Sequence, residues 1–120
     1  MKQFIGAPPA APLTPAVRCG QFLFVSGQVP TERDGSIPSG ITAQTKLVLT
    51  KVKALLEEAG FELSDVVKTT VFLRDLADFD EMNNVYRTFF PVNPPARSCI
   101  KASVALDVNL EIEAIAMKEN

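Results

Sequence analysis

Pro94-Pro95-Ala96-Arg97-Ser98-Cys99-Ile100 decides how the last third of the chain must run. The two prolines fix φ near the extended region and remove backbone donors. The helical pattern before them therefore stops, and the chain beyond them leaves as a strand. Side chains alternate across a strand, so Arg97, Cys99, Lys101 and Ser103 share one face. Ala96, Ser98, Ile100, Ala102 and Val104 share the other. A guanidinium delivered to a rigid strand start has two open readings: a head left in water, or a planar fork that clamps a carboxylate or phosphate.

Upstream of the prolines, Phe79, Met82, Tyr86 and Phe89 repeat at helical steps as far as Pro91, with Asp78 and Glu81 spaced as a capping pair. Before that helix, Val66 to Leu73 is rich in β-branched residues and nearly continuously apolar, which predicts a central strand buried on both faces. Ile41 to Ala59 places Ile41, Val48, Val52, Leu55 and Ala59 at three- and four-residue steps, an amphipathic helix that Gly60 stops. Ala16 to Cys19 and Phe22 to Ser26 flank Gly20-Gln21 as a hairpin, and Thr31 to Gly40 is a loop. The first fifteen residues, with Pro8, Pro9, Pro12 and Pro15, are an extended lead-in with room for a short edge strand at Phe4-Ile5. Downstream, a strand from Arg97 to Val104 and another from Leu110 to Met117 are expected to pair as a hairpin around Asp107.

The predicted order is β-β-α-β-α-β-β, one α+β domain over residues 1–120 with a mixed sheet. Right-handed crossovers put both helices on the same face of that sheet. The other face has no cover from its own chain, which predicts a homo-oligomer.

The 120 residues are 47% hydrophobic and 22% charged, enough for one core and not for two. A net charge of −2 gives no general field for nucleic acid, so neither RNA nor a membrane surface is expected as a partner. The chain has no histidine, which removes the commonest general base and the commonest zinc ligand together. Chemistry must run on carboxylate, arginine, thiol, hydroxyl or backbone groups. Cys19 and Cys99 show no metal spacing and suit a reducing compartment as free thiols. With neither a signal-peptide pattern nor a membrane-length apolar run, a cytoplasmic protein is expected.

In the expected hairpin Arg97 lies opposite Met117 and Glu111 opposite Ser103. Their side chains then stand about 20 Å apart at ~3.3 Å per residue, and they could meet one small ligand only across a subunit interface. Glu111 and Glu113 share a strand face and are either solvated carboxylates or, in one case, the group that orients a water. Cys99 is by default a small buried hydrophobe, with a pocket-lining role beside Arg97 as the alternative. Ser26 and Gly27 read as turn residues, or as a strand end whose freed N–H holds a carboxylate oxygen. Asn83 reads as a surface residue, and Phe79 and Tyr86 as core.

Several stretches, taken together and in order, bring a family into view. They are Val25-Ser26-Gly27-Gln28; Val67 to Leu73 followed by Asp75-Leu76 and Asp78-Phe79; Asn83 to Phe90; Pro95 to Cys99; and Ile112 to Ala116. The chain resembles the RidA/YjgF family of reactive-intermediate deaminases from about residue 4 to its end. The resemblance implies a trimer of chorismate-mutase-like α+β subunits with sites in the clefts between neighbours. It implies hydrolysis of 2-imino acids, the enamine and imine products of serine and threonine dehydratases, to 2-oxo acids and ammonia, with no cofactor or metal. By the same resemblance Arg97 grips the substrate carboxylate and Glu111 positions the attacking water, while Ser26, Gly27, Asn83 and Cys99 line the pocket. Ala16 stands where the family often carries a pocket tyrosine, which leaves the preferred imine open. A noncatalytic carboxylate-binding or chaperone-like module is the alternative reading. Ribonuclease or translation-inhibitor activity, described for some family members, is disfavoured by the acidic balance.

Overall fold

The computed structural model describes residues 1–119, with strands β1 (Lys2–Ile5), β2 (Ala16–Cys19), β3 (Phe22–Gln28), β4 (Val66–Leu73), β5 (Ala96–Lys101) and β6 (Leu110–Met117). Helices α1 (Ile41–Glu58) and α2 (Phe79–Phe89) complete an α+β architecture. The lead-in does form the edge strand β1, so the order is β-β-β-α-β-α-β-β, one strand more than the predicted seven-element order. All six strands join one sheet in the order β1-β2-β3-β6-β4-β5, with β4 and β5 parallel and every other pair antiparallel.

The expected β5–β6 hairpin does not form, because β4 lies between the two strands. The β4–α2–β5 crossover lays β5 parallel along the outer side of β4. β6 returns antiparallel to fill the gap between β3 and β4. The connecting segment arches over the end of β4, where Ala102 N donates to Leu73 O at 3.0 Å and Arg74 N to Asn109 O at 3.0 Å. A strand with an apolar face finds two partners in the gap and only one at an outer edge, so the interior position buries more of Leu110, Ile112, Ala114 and Ala116. β5 itself stops at Lys101, short of the expected Val104.

Both helices pack on one face of the sheet. Val48, Leu49, Val52 and Leu56 of α1 and Met82 of α2 are fully buried against Leu23, Val71, Leu73 and Ile112. Gly60, at φ +84°, ends α1 with Phe61 N donating back to Leu56 O at 2.8 Å, the left-handed stop its position predicts. Asp78 precedes α2 but caps nothing with its side chain. The capping bond falls three residues earlier, where Asp75 accepts from Ala77 N at 2.9 Å. The short 3-10 turn Leu76–Asp78 explains the shift, since the chain begins to coil before α2 proper.

The opposite sheet face is bare. Phe22, Phe24, Val67 and Ile100 are each more than a third exposed. β4 is accordingly buried on one face only: Val66, Thr69, Val71 and Leu73 point to the helices, while Lys68, Thr70 and Phe72 are half-covered on the open side. No described helix is long and apolar enough to cross a membrane.

Candidate active site

The guanidinium of Arg97 is held from three sides on the helix face. Its Nη1 donates to Asn83 Oδ1 at 2.7 Å, and its carbon lies 4.8 Å from the Tyr86 ring centre and 5.7 Å from that of Phe79. Asn83 and Tyr86 are three apart on α2 and therefore face the same strand. Tyr86 is 6% exposed and fixed at its far end by a 2.7 Å hydrogen bond shared with the buried hydroxyl of Thr69. Burial pushes the phenol above its ordinary range, against the opposing pull of Thr69 and Arg97, so it stays a neutral platform. Among the described residues the one ion pair joins Arg74 and Asp107, which leaves Arg97 fixed and without a carboxylate partner. Beside it opens a cleft of about 320 Å³, walled by Pro94, Pro95 and Phe90 and lined also by Asn83, Tyr86 and Arg87.

Cys99 comes two residues on, level with Val71 and partly packed on the core. Burial raises its thiol pKa although Arg97 opposes the rise, so it is a protonated thiol packed on the core rather than a nucleophile, and it is not among the residues that line the cleft beside Arg97.

Glu111 belongs to a second, separate group. Arg97 is level with Thr69 and Ala114, both turned toward the helices, whereas Glu111 is level with Phe72 and Ile100 and turned to the bare face. Two strand spacings and three residues separate them, about 14 Å, with the sheet between. The expected hairpin register is thus wrong, but the carboxylate and the guanidinium still cannot touch one small ligand within a chain. Burial first, and then the neighbouring charge of Glu113, hold the Glu111 carboxyl above its ordinary value of 4.5. Gly27 lies directly against it: a Cβ there would overlap Glu111 Oε2 and stand 2.8 Å from Cδ. This close approach falls within the register irregularity between Val25 and Gln28, a bulge that bends β3 over Glu111. A further hollow of about 200 Å³ lies beside Glu111, Phe72 and Ser103.

Of the other sequence-predicted residues, Ser26 spends its hydroxyl on Thr14 O at 2.6 Å, tying the lead-in to the bulge. Ala16 is fully buried, level with Val25 on the helix face, and its methyl belongs to the core rather than to an open pocket. A small side chain there fits beneath the packed helices, which is why the strand tolerates it. Asn83 is no idle surface residue, since it grips Arg97. Phe79 is 38% exposed beside the guanidinium instead of lying in the core. Thr69 was not singled out from sequence. The signal was that Tyr86, the sole tyrosine, repeats at core spacing and must find a partner for its hydroxyl.

These features define a single-sheet α+β domain with two separate polar clusters on opposite faces, a clamped guanidinium and a recessed carboxylate. The chain belongs to the RidA/YjgF family: the family described as endoribonuclease L-PSP matches residues 4–118. A RutC family protein of Pyrococcus horikoshii is 46% identical over 114 residues, covering 92% of this chain and 90% of its own. The 2-iminobutanoate/2-iminopropanoate deaminase of Escherichia coli K12 is 43% identical over 117 residues, covering 92% and 91%. Among solved structures, a Thermotoga maritima protein described as an endoribonuclease superposes with TM-score 0.94 at 42% identity over 100% of both chains. Escherichia coli TdcF with bound serine gives TM-score 0.93 at 37% identity over 98% of this chain and 99% of its own.

Proposed function

We propose that this protein is a hydrolytic deaminase of 2-imino acids, converting the enamine and imine products of serine and threonine dehydratases to 2-oxo acids and ammonia. The observation that carries the reading is Arg97, fixed by Asn83, Tyr86 and Phe79 with its charge unanswered beside an open cleft. Such a guanidinium receives the substrate carboxylate bidentately and holds the adjacent C=N carbon in a set place. Three chains associate so that the edge strand β5 of one, which carries Arg97, overlies the bare sheet face of the next, whose Glu111 completes the site. The opposite-face geometry is the reason for requiring a second chain.

Glu111 accepts a proton from a water as that water adds to the imine carbon. Its raised pKa brings it nearer the operating pH as a proton acceptor and donor. The tetrahedral adduct then gains a proton on nitrogen, the C–N bond breaks, ammonia leaves and the carbonyl forms. Imines hydrolyse unaided, so positioning the carboxylate and the water suffices, and no histidine is required. The relative at 43% identity named as a 2-iminobutanoate/2-iminopropanoate deaminase supports this substrate class.

The serine bound to TdcF favours a second reading, in which the same clamp binds amino- or oxo-acid carboxylates without turnover. The ribonuclease description carried by the family and by the Thermotoga relative finds no support in a chain of net charge −2 lacking histidine.

Threonine dehydratase supplied with threonine generates the imine, and its decay is followed with and without the protein. The protein accelerates the decay, and Arg97→Ala lowers kcat/KM about 10- to 100-fold, the value of one charge-assisted clamp. An Arg97→Ala protein as active as the parent sinks the clamp. Binding of 2-oxobutanoate with no acceleration leaves the binding-module reading in its place.

A further inference from the structure

The cleft beside Arg97 carries a second guanidinium that imine hydrolysis of a monocarboxylate does not use. Arg87 lies four residues beyond Asn83 on α2, so the two side chains stack on one helix face about one turn, or ~5.4 Å, apart. Asn83 grips Arg97, and Arg87 lines the same 320 Å³ cleft one turn further along. None of the residues lining that cleft is acidic, although the whole chain carries a net charge of −2. The one ion pair among the described residues lies elsewhere, at Arg74 and Asp107. A cation in the last turn of α2 complements the helix dipole, but that role asks only for a charge at the helix end and not for a place in the cleft wall.

Resting on the deaminase reading, we propose that Arg87 is a specificity-determining residue and that the preferred substrates are dicarboxylic 2-imino acids. Arg97 takes the carboxylate beside the imine, and Arg87 takes the carboxylate at the far end of the side chain. The one-turn offset suits a short-chain dicarboxylate lying along α2, with the rigid Pro94-Pro95 wall behind it. The bond changes are those of the parent reaction: water adds to the imine carbon, the C–N bond breaks and ammonia leaves. The second carboxylate is bound and unreacted. The class of reaction that supplies such a substrate is the dehydration of a 3-hydroxylated acidic amino acid: water leaves across the Cα–Cβ bond and the resulting enamine tautomerises to the imine.

The stable oxo acids 2-oxoglutarate and 2-oxobutanoate serve as probes, titrated into the full-length protein by calorimetry at one fixed ionic strength. The parent protein binds 2-oxoglutarate about tenfold more tightly than 2-oxobutanoate, the value of one added charge-assisted contact. Arg87→Ala erases that ratio and Arg87→Glu reverses it. Arg87 is exposed, so both variants are checked to unfold at the parent's midpoint. Equal or weaker binding of 2-oxoglutarate by the parent, or an unchanged ratio in Arg87→Ala, overturns the inference. If 2-oxobutanoate binds and its imine is hydrolysed without the dicarboxylate preference, only this inference falls. If neither oxo acid binds and no imine is hydrolysed, the deaminase reading falls with it.

Discussion

Adding a single methyl at Gly27 separates the chemistry of Glu111 from the stability of the fold. Gly27 has no positive φ, so its backbone accepts an L residue, and the only obstacle is space. In Gly27→Ala the new Cβ overlaps Glu111 Oε2 and stands 2.8 Å from Cδ and 3.1 Å from Cγ, all atoms of one flexible side chain. Swinging that side chain off its preferred rotamer costs about 0.5–1.5 kcal/mol, which for a domain of this size lowers Tm by roughly 4 °C. The carboxylate, however, moves by more than an ångström, and a displacement of that size costs about 100-fold in a positioned reaction. The assay pairs kcat/KM from the dehydratase-coupled reaction with thermal unfolding by circular dichroism. A double variant, Gly27→Ala with Glu111→Gln, loses no more activity than Glu111→Gln alone, because both changes act through one carboxylate. Unchanged activity in Gly27→Ala refutes the placement of Glu111 at the reacting water. A Tm drop several times larger shows that the backbone, not the side chain, absorbs the clash.

Tyr86→Phe removes the hydroxyl shared with Thr69 and leaves the Thr69 oxygen buried and unpaired, so urea unfolding shows a loss of about 1–3 kcal/mol. An unchanged midpoint excludes that support for Arg97. Because the Glu111 carboxyl is held above 4.5 in the fold, the native state binds more protons than the unfolded chain between 4.5 and the raised value. Stability from this group is therefore present at pH below 4.5 and is lost as pH rises through the raised value. Glu111→Gln removes that loss, gaining stability over the parent at about pH 7 relative to about pH 4, and it abolishes the acidic limb of the kcat/KM profile. Parallel pH–stability curves for the two proteins contradict the shift.

Local rules made much of the architecture legible. Helical spacing gave α1 and α2 nearly to the residue, Gly60 marked the end of α1, and Gly20-Gln21 turned β2 into β3. Alternation along Arg97 to Lys101 and along Leu110 to Met117 sorted the residues within each strand correctly, but the expected hairpin, with Glu111 opposite Ser103, put Glu111 on the face of Arg97, whereas the sheet sets the two on opposite faces. The sequence pattern was silent on which strand lies beside which. β5 and β6 are neighbours in the chain, and a short polar connection between them reads as a hairpin. The sheet instead interposes β4, because an interior strand buries its apolar face between two partners. The capping role also moved, from Asp78 to Asp75, since a 3-10 turn begins before the helix does.

The candidate site divides along the same line. Side-chain chemistry, proline-fixed backbone and period-two alternation are properties of a few consecutive residues, and with the family resemblance they single out Arg97, Glu111, Gly27 and Asn83. What only the folded chain decides is how those residues stand to one another: Asn83 gripping Arg97 over Tyr86 and Thr69, β3 bent so that Gly27 meets Glu111, and the guanidinium and the carboxylate on opposite faces of the sheet. These relations depend on contacts between segments far apart in sequence, which are settled by how apolar faces are buried rather than by any local propensity.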